Sequence, residues 1–76
     1  MSVQVLFFGK LVEITGASVV LEKIHDTDEL LQQLRQTYPA LATEKYLIAV
    51  DKRMITANTV LTNNCTVALL PPFSGG

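Results

Sequence analysis

Seventy-six residues with six basic and seven acidic side chains, a formal net charge of −1, leave room for one hydrophobic core and lack the basic stripe by which proteins hold nucleic acid. Apolar residues make up 49% of the chain against 17% charged, enough to drive folding with apolar surface left for a partner. Cys65 is the only cysteine, which excludes an internal disulfide, and no charged-then-apolar leader or long apolar span precedes the fold, so the expectation is a soluble, cytoplasmic chain that crosses no membrane.

Residues 3–8 (VQVLFF) are rich in β-branched and aromatic side chains and stop at Gly9, which predicts a strand, apolar on both faces after Gln4. Thr15-Gly16 is a turn signal, and residues 17–22 form a second strand paired with the first as a hairpin whose loop exceeds the tightest type. Asp26 caps a helix with Glu29 at its third position, and Leu30, Leu31, Leu34 and Tyr38 recur at helical spacing, a stripe that must pack on a sheet. Pro39 ends that helix by Tyr38, and residues 39–43 make a short turn or a single helical turn with Leu41 beneath it.

Residues 46–50 (YLIAV) read as a strand, residues 51–53 as a polar turn without the usual glycine, and residues 54–56 as its edge partner. After the polar break at residues 62–64, residues 66–70 (TVALL) form a last strand that Pro71-Pro72 terminates, since neither proline donates to a ladder. The first and last strands, apolar on both faces, belong at the centre of the sheet side by side. That order is an α+β, ubiquitin-like β-grasp: a mixed sheet of four to five strands with one main helix packed on one face. It divides the chain into a domain over residues 1–70 and a projecting tail over 71–76.

The tail carries the chemistry. Pro71 and Pro72 fix their φ angles and project a semi-rigid arm, while Gly75 and Gly76 have no side chains and suit a narrow channel. A glycine carboxylate is the least hindered one a chain offers, open to adenylation by an ATP-using partner and then to attack by a sulfur or amine nucleophile. A Gly-Gly end alone is weak evidence and reads more readily as a frayed terminus; its coupling to the diproline and the β-grasp order is the specific signal. No Ser, His and Asp arrangement offers the chain a catalytic site of its own, His25 reads as a surface or capping residue, and His25 with Cys65 is too few for a metal site.

Residues 5–11 (VLFFGKL) and 67–76 (VALLPPFSGG), with the segment 13–16 (EITG), the Tyr38-Pro39 helix end and Ala49-Val50, resemble the small subunit of molybdopterin synthase over essentially the whole chain. The resemblance implies a sulfur carrier: an adenylyltransferase related to ubiquitin-activating enzymes joins AMP to Gly76, and a sulfur donor converts the adenylate to a thiocarboxylate. The tail, Pro71, Pro72, Phe73, Ser74 and Gly75, then enters the large synthase subunit, where Gly76 gives its sulfur to cyclic pyranopterin monophosphate. It further implies a heterotetramer of two small and two large subunits, no bound cofactor, and ATP used only by the activating partner.

Three departures from that family bear on partner contacts: residues 63–66 (NNCT) replace an acidic turn, Asp51 stands where Asn is frequent, and Val12 where Arg is. Cys65 reads as a buried strand-edge thiol rather than a sulfur shuttle. Phe8, Met54 and Leu70 are expected to form an apolar docking patch on the helix-free face, with ordinary core packing as the equal alternative. Phe73 either anchors the arm in the partner or pins it to the domain. Three other readings stay open: a thiamine-pathway sulfur carrier, in which the diproline is not typical, a ubiquitin-like protein modifier, and a non-covalent module with an idle tail.

Overall fold

The computed structural model describes residues 2–72. Strand β1 (Ser2–Phe7) is followed by a 3₁₀ turn at Gly9–Leu11, a four-residue helix α1 (Val12–Thr15) and β2 (Ser18–Glu22). Helix α2 (Thr27–Thr37) leads through a second 3₁₀ turn, Pro39–Thr43, to β3 (Leu47–Val50), β4 (Arg53–Ile55) and β5 (Thr66–Leu70). The five strands lie in the order β2-β1-β5-β3-β4. β1 and β5 run parallel at the centre, and every other neighbouring pair is antiparallel. This is the ubiquitin-like β-grasp expected from the element order, with the two doubly apolar strands as central neighbours.

The period of two along each strand decides which side chains meet the helix. Val3, Val5 and Phe7 of β1 and Val67 and Leu69 of β5 are buried on one face, where Leu30 and Leu34 of α2 complete the core with Leu11, Ile24, Leu41 and Leu61. Each such side chain contributes about 1.5–3 kcal/mol when fully removed from water. Leu31 and Tyr38, the outer members of the helical stripe, pack half-buried against the same cluster.

Helix α2 begins and ends where its sequence dictates. Asp26 is extended (φ −151°, ψ 174°) and its carboxylate accepts the Glu29 amide at 2.9 Å, satisfying an N–H that has no partner within the helix. Glu29 reaches back in turn, but its Oε1 accepts the His25 amide at 2.8 Å, one residue earlier than a capping box would. At the other end Tyr38 precedes a proline and leaves the helical region (φ −127°, ψ 80°), while its amide still donates to Leu34 O at 2.7 Å.

Two local features differ from the sequence reading. The loop between β1 and β2 is largely helical, the 3₁₀ turn running into α1, which Gly16 stops at φ 87°; four helical residues are too few to show a periodicity. The β3–β4 turn is confined to Asp51 (φ 48°) and Lys52 (φ 72°), so Arg53 already pairs with Val50 inside β4. Two left-handed residues give the twist that a two-residue hairpin requires, and Asp51 is held there because its Oδ1 accepts the Thr66 amide at 2.9 Å and its own amide donates to Thr66 O at 2.8 Å. The turn at Asn63-Asn64 also clamps the start of β1: Asn63 Oδ1 accepts the Ser2 amide at 2.9 Å, and the Asn64 amide donates to Ser2 O at 2.8 Å.

Candidate functional site: the arm exit and the helix-free face

The helix-free face of the sheet carries the other half of each strand. Leu6 of β1 is opposite Ala68 of β5, Ala68 opposite Ala49 of β3, and Ala49 opposite Met54 of β4. One row further along, Leu47 of β3 pairs with Leu70 of β5. Phe8 is extended (φ −132°, ψ 160°) and donates its amide to Leu69 O at 3.2 Å, so it continues the side-chain alternation of β1 and lies beside Leu70.

The expected patch is therefore on one face, in two rows. Phe8 and Leu70 belong to the same row, while Met54 stands two strands away in the next. Phe8 is 42% exposed and Met54 55%, whereas Leu70 is half-buried. Sequence reasoning missed Leu47, which at 42% exposure bridges Phe8 and Leu70 to the β4 side. Its signal was its place one period before Ala49, legible only once the β3–β5 register is known. A hollow of about 390 Å³ opens beside the patch, lined by Leu6, Phe8, Asp51, Lys52, Thr66 and Ala68. A large side chain from a partner has room to enter there.

At the end of β5 the chain leaves the sheet through Pro71, half-buried, and Pro72, exposed. Pro71 rests on Gly9, whose φ is +60°; a Cβ at Gly9 would lie 2.5 Å from Pro71 Cγ. The turn bearing Gly9 is fixed by buried Leu11 and by Lys10, whose Nζ stands 3.1 Å from Glu44 Oε1 in the residue that follows the Pro39–Thr43 turn. Phe73, Ser74, Gly75 and Gly76, the expected reactive end of the tail, lie outside the described residues.

The remaining chemistry-bearing side chains have structural partners. Cys65 is buried just ahead of β5, and burial pushes its thiol above the ordinary value, so it is protonated at neutral pH and a poor nucleophile. His25 is exposed and its Nδ1 lies 3.0 Å from Glu29 Oε1, an i,i+4 pair at the start of α2. Among the described residues no group of three His, Cys, Asp or Glu side chains gathers to hold a metal ion, and no helix is long and apolar enough to cross a membrane. No buried side-chain nitrogen or oxygen among them lacks a hydrogen-bond partner.

The sequence model of the ThiS family matches residues 5–76. A chain from the complex of subunits 1 and 2 of molybdopterin-converting factor from Helicobacter pylori 26695 is 31% identical over 100% of both chains, with a TM-score of 0.78. Small archaeal modifier protein 1 (SAMP1) from Methanosarcina acetivorans is 25% identical over 99% of this chain and 96% of its own, with a TM-score of 0.82. SAMP1 from Haloferax volcanii shares the fold at 21% identity over 100% of both chains, with a TM-score of 0.82.

Proposed function

This chain belongs to the ThiS family of ubiquitin-like sulfur carriers, and on that footing we propose that it is the sulfur-carrying subunit of a molybdopterin synthase. The observation that carries the proposal is the 31% identity over 100% of both chains to a member of the complex of molybdopterin-converting factor subunits 1 and 2. The apolar face beside the arm exit supports it, because a carrier that reacts through its end needs a body surface by which its partner positions that end.

In this reading the Gly76 carboxylate attacks the α-phosphorus of ATP held by an adenylyltransferase, pyrophosphate leaves, and a hydrosulfide equivalent displaces AMP to leave a thiocarboxylate. A carboxylate is a poor acyl donor, whereas its adenylate has a good leaving group. The chain binds no cofactor, and ATP stays with the activating partner. Docking through Phe8, Met54, Leu70 and Leu47 then places the arm in the large subunit, where sulfur passes to cyclic pyranopterin monophosphate. Each molybdopterin dithiolene takes two sulfurs, so two loaded chains are consumed, in keeping with two small and two large subunits per assembly.

Reconstitution tests it. The loaded chain, mixed with a large subunit and cyclic pyranopterin monophosphate, should form molybdopterin at the cost of two thiocarboxylates per product. Sulfur transfer only into the thiazole of thiamine would replace this reading with the thiamine-pathway one, against which the Pro71-Pro72 arm argues. A second reading, a protein modifier, draws on the 25% identity to SAMP1 of M. acetivorans. It predicts isopeptide conjugates of higher mass in cell extract, with Gly76 joined to lysines of other proteins.

A further inference from the structure

We propose that Gly9 is a positioning residue for the reaction of the arm: its bare α-carbon is the seat on which Pro71 rests, and that seat sets the direction in which the chain leaves the sheet. The inference rests on the sulfur-carrier reading for its consequence, but its geometry stands on the body of the domain.

Two independent demands fall on this one position. Its φ of +60° lies in the left-handed region, where a Cβ is strained. A Cβ there would also come within 2.5 Å of Pro71 Cγ and 3.3 Å of Pro71 Cδ, so one of the two segments must move. Gly9 cannot easily be the one to yield. Ahead of it the β1–β5 ladder runs up to the bond from the Phe8 amide to Leu69 O, and behind it Leu11 is fully buried and Lys10 is paired with Glu44. Pro71, half-buried at the end of β5 with no amide hydrogen to tie it into the ladder, is the part that shifts.

A displaced Pro71 changes the course of the chain at the root of the arm, while Leu47 and Met54 of the docking face, on other strands, stay in place. That separates two effects kinetically, because the carrier is itself the substrate of its activating enzyme. Partial unfolding lowers the concentration of competent carrier and raises the apparent KM without changing kcat at saturation. A misdirected arm docks normally and reacts slowly, so kcat falls at nearly constant KM. Misplacement by about 1 Å costs up to roughly a hundredfold.

The test compares wild type, Gly9→Ala, Pro71→Gly and the double variant of the full chain by ATP–pyrophosphate exchange with the activating enzyme, well below the melting temperature of each. Gly9→Ala should lower kcat about ten- to a hundredfold, Pro71→Gly should lower it as well, and the double variant should be no worse than Pro71→Gly alone, since removing the ring removes the clash. A Gly9→Ala variant with wild-type kcat, any loss appearing in KM, overturns the proposal. Failure of the sulfur-carrier reading is separately visible in the wild type, as no exchange or as exchange that yields no alkylatable thiocarboxylate once a sulfur donor is added. In that event residual dipolar couplings still decide the seat: Gly9→Ala should change those of the Pro71 and Pro72 Cα–Hα bonds and leave those of β1 and β5 as they were, and unchanged proline couplings overturn it.

Discussion

Asp26 shows how one side chain both starts an element and makes it sensitive to acid. The hydrogen bond from the Glu29 amide, foremost, and that from Asn58 hold its carboxyl below the ordinary carboxylate value. The unfolded chain therefore takes up the proton first as pH falls; the stabilisation is whole above the ordinary value and is lost as pH drops through the depressed one. Asp26→Ala should lower the urea midpoint at neutral pH, and the gap from wild type should close in acid. Asp26→Asn, which caps without ionising, should keep most of the neutral-pH stability. Cys65 has the opposite sign. Its raised pKa means that the folded thiol keeps its proton where the unfolded one has lost it, so its contribution falls away as pH rises past the unfolded value. Cys65→Ser buries a hydroxyl among apolar neighbours and should cost about 1–3 kcal/mol in denaturant titration, whereas Cys65→Ala leaves only a small void.

The elements divide by whether their cause is local. Helix α2 was legible because Asp26, the leucine spacing and Pro39 each act within a few residues, and β5 was legible as Thr66–Leu70 because Pro71 ends it. The placing of Phe8, Met54 and Leu70 on the helix-free face followed from the period of two. What escaped depends on contacts distant in sequence. Leu47 joins the patch only through its register with Leu70, and Asn63 and Asn64 clamp Ser2 across 61 and 62 positions of chain. The β3–β4 turn was assigned three residues for want of a glycine, yet Asp51 adopts φ 48° because Thr66 binds it on both sides. Lys52 has φ 72°, a left-handed conformation that an L side chain rarely adopts. Lys52→Gly should therefore stabilise the domain by roughly 0.5–1 kcal/mol, the left-handed cost less the added freedom of the unfolded chain, read as a higher melting temperature.

At the scale of the whole molecule, the two faces of the sheet differ in what covers them. One is closed by α2, and the other presents an apolar surface that ends at the arm exit. Leu47→Lys combined with Met54→Lys should cost no more than about 1 kcal/mol of stability, since Leu47 is 42% and Met54 55% exposed, and should weaken binding to the large subunit at least about tenfold by calorimetry. Equal loss of stability and affinity would assign the face to folding alone. Sulfur carriage by Gly76 is tested most directly by the intact mass of the Cys65→Ala variant, produced with its activating enzyme and sulfur donor and treated with a thiol alkylator. A thiocarboxylate adds about 16 mass units, the same nominal gain as a methionine sulfoxide, so the alkylated adduct is the deciding signal. An adduct that fragments to Gly76 is the predicted result; a chain that stays unalkylated although the activating enzyme consumes ATP would contradict sulfur carriage.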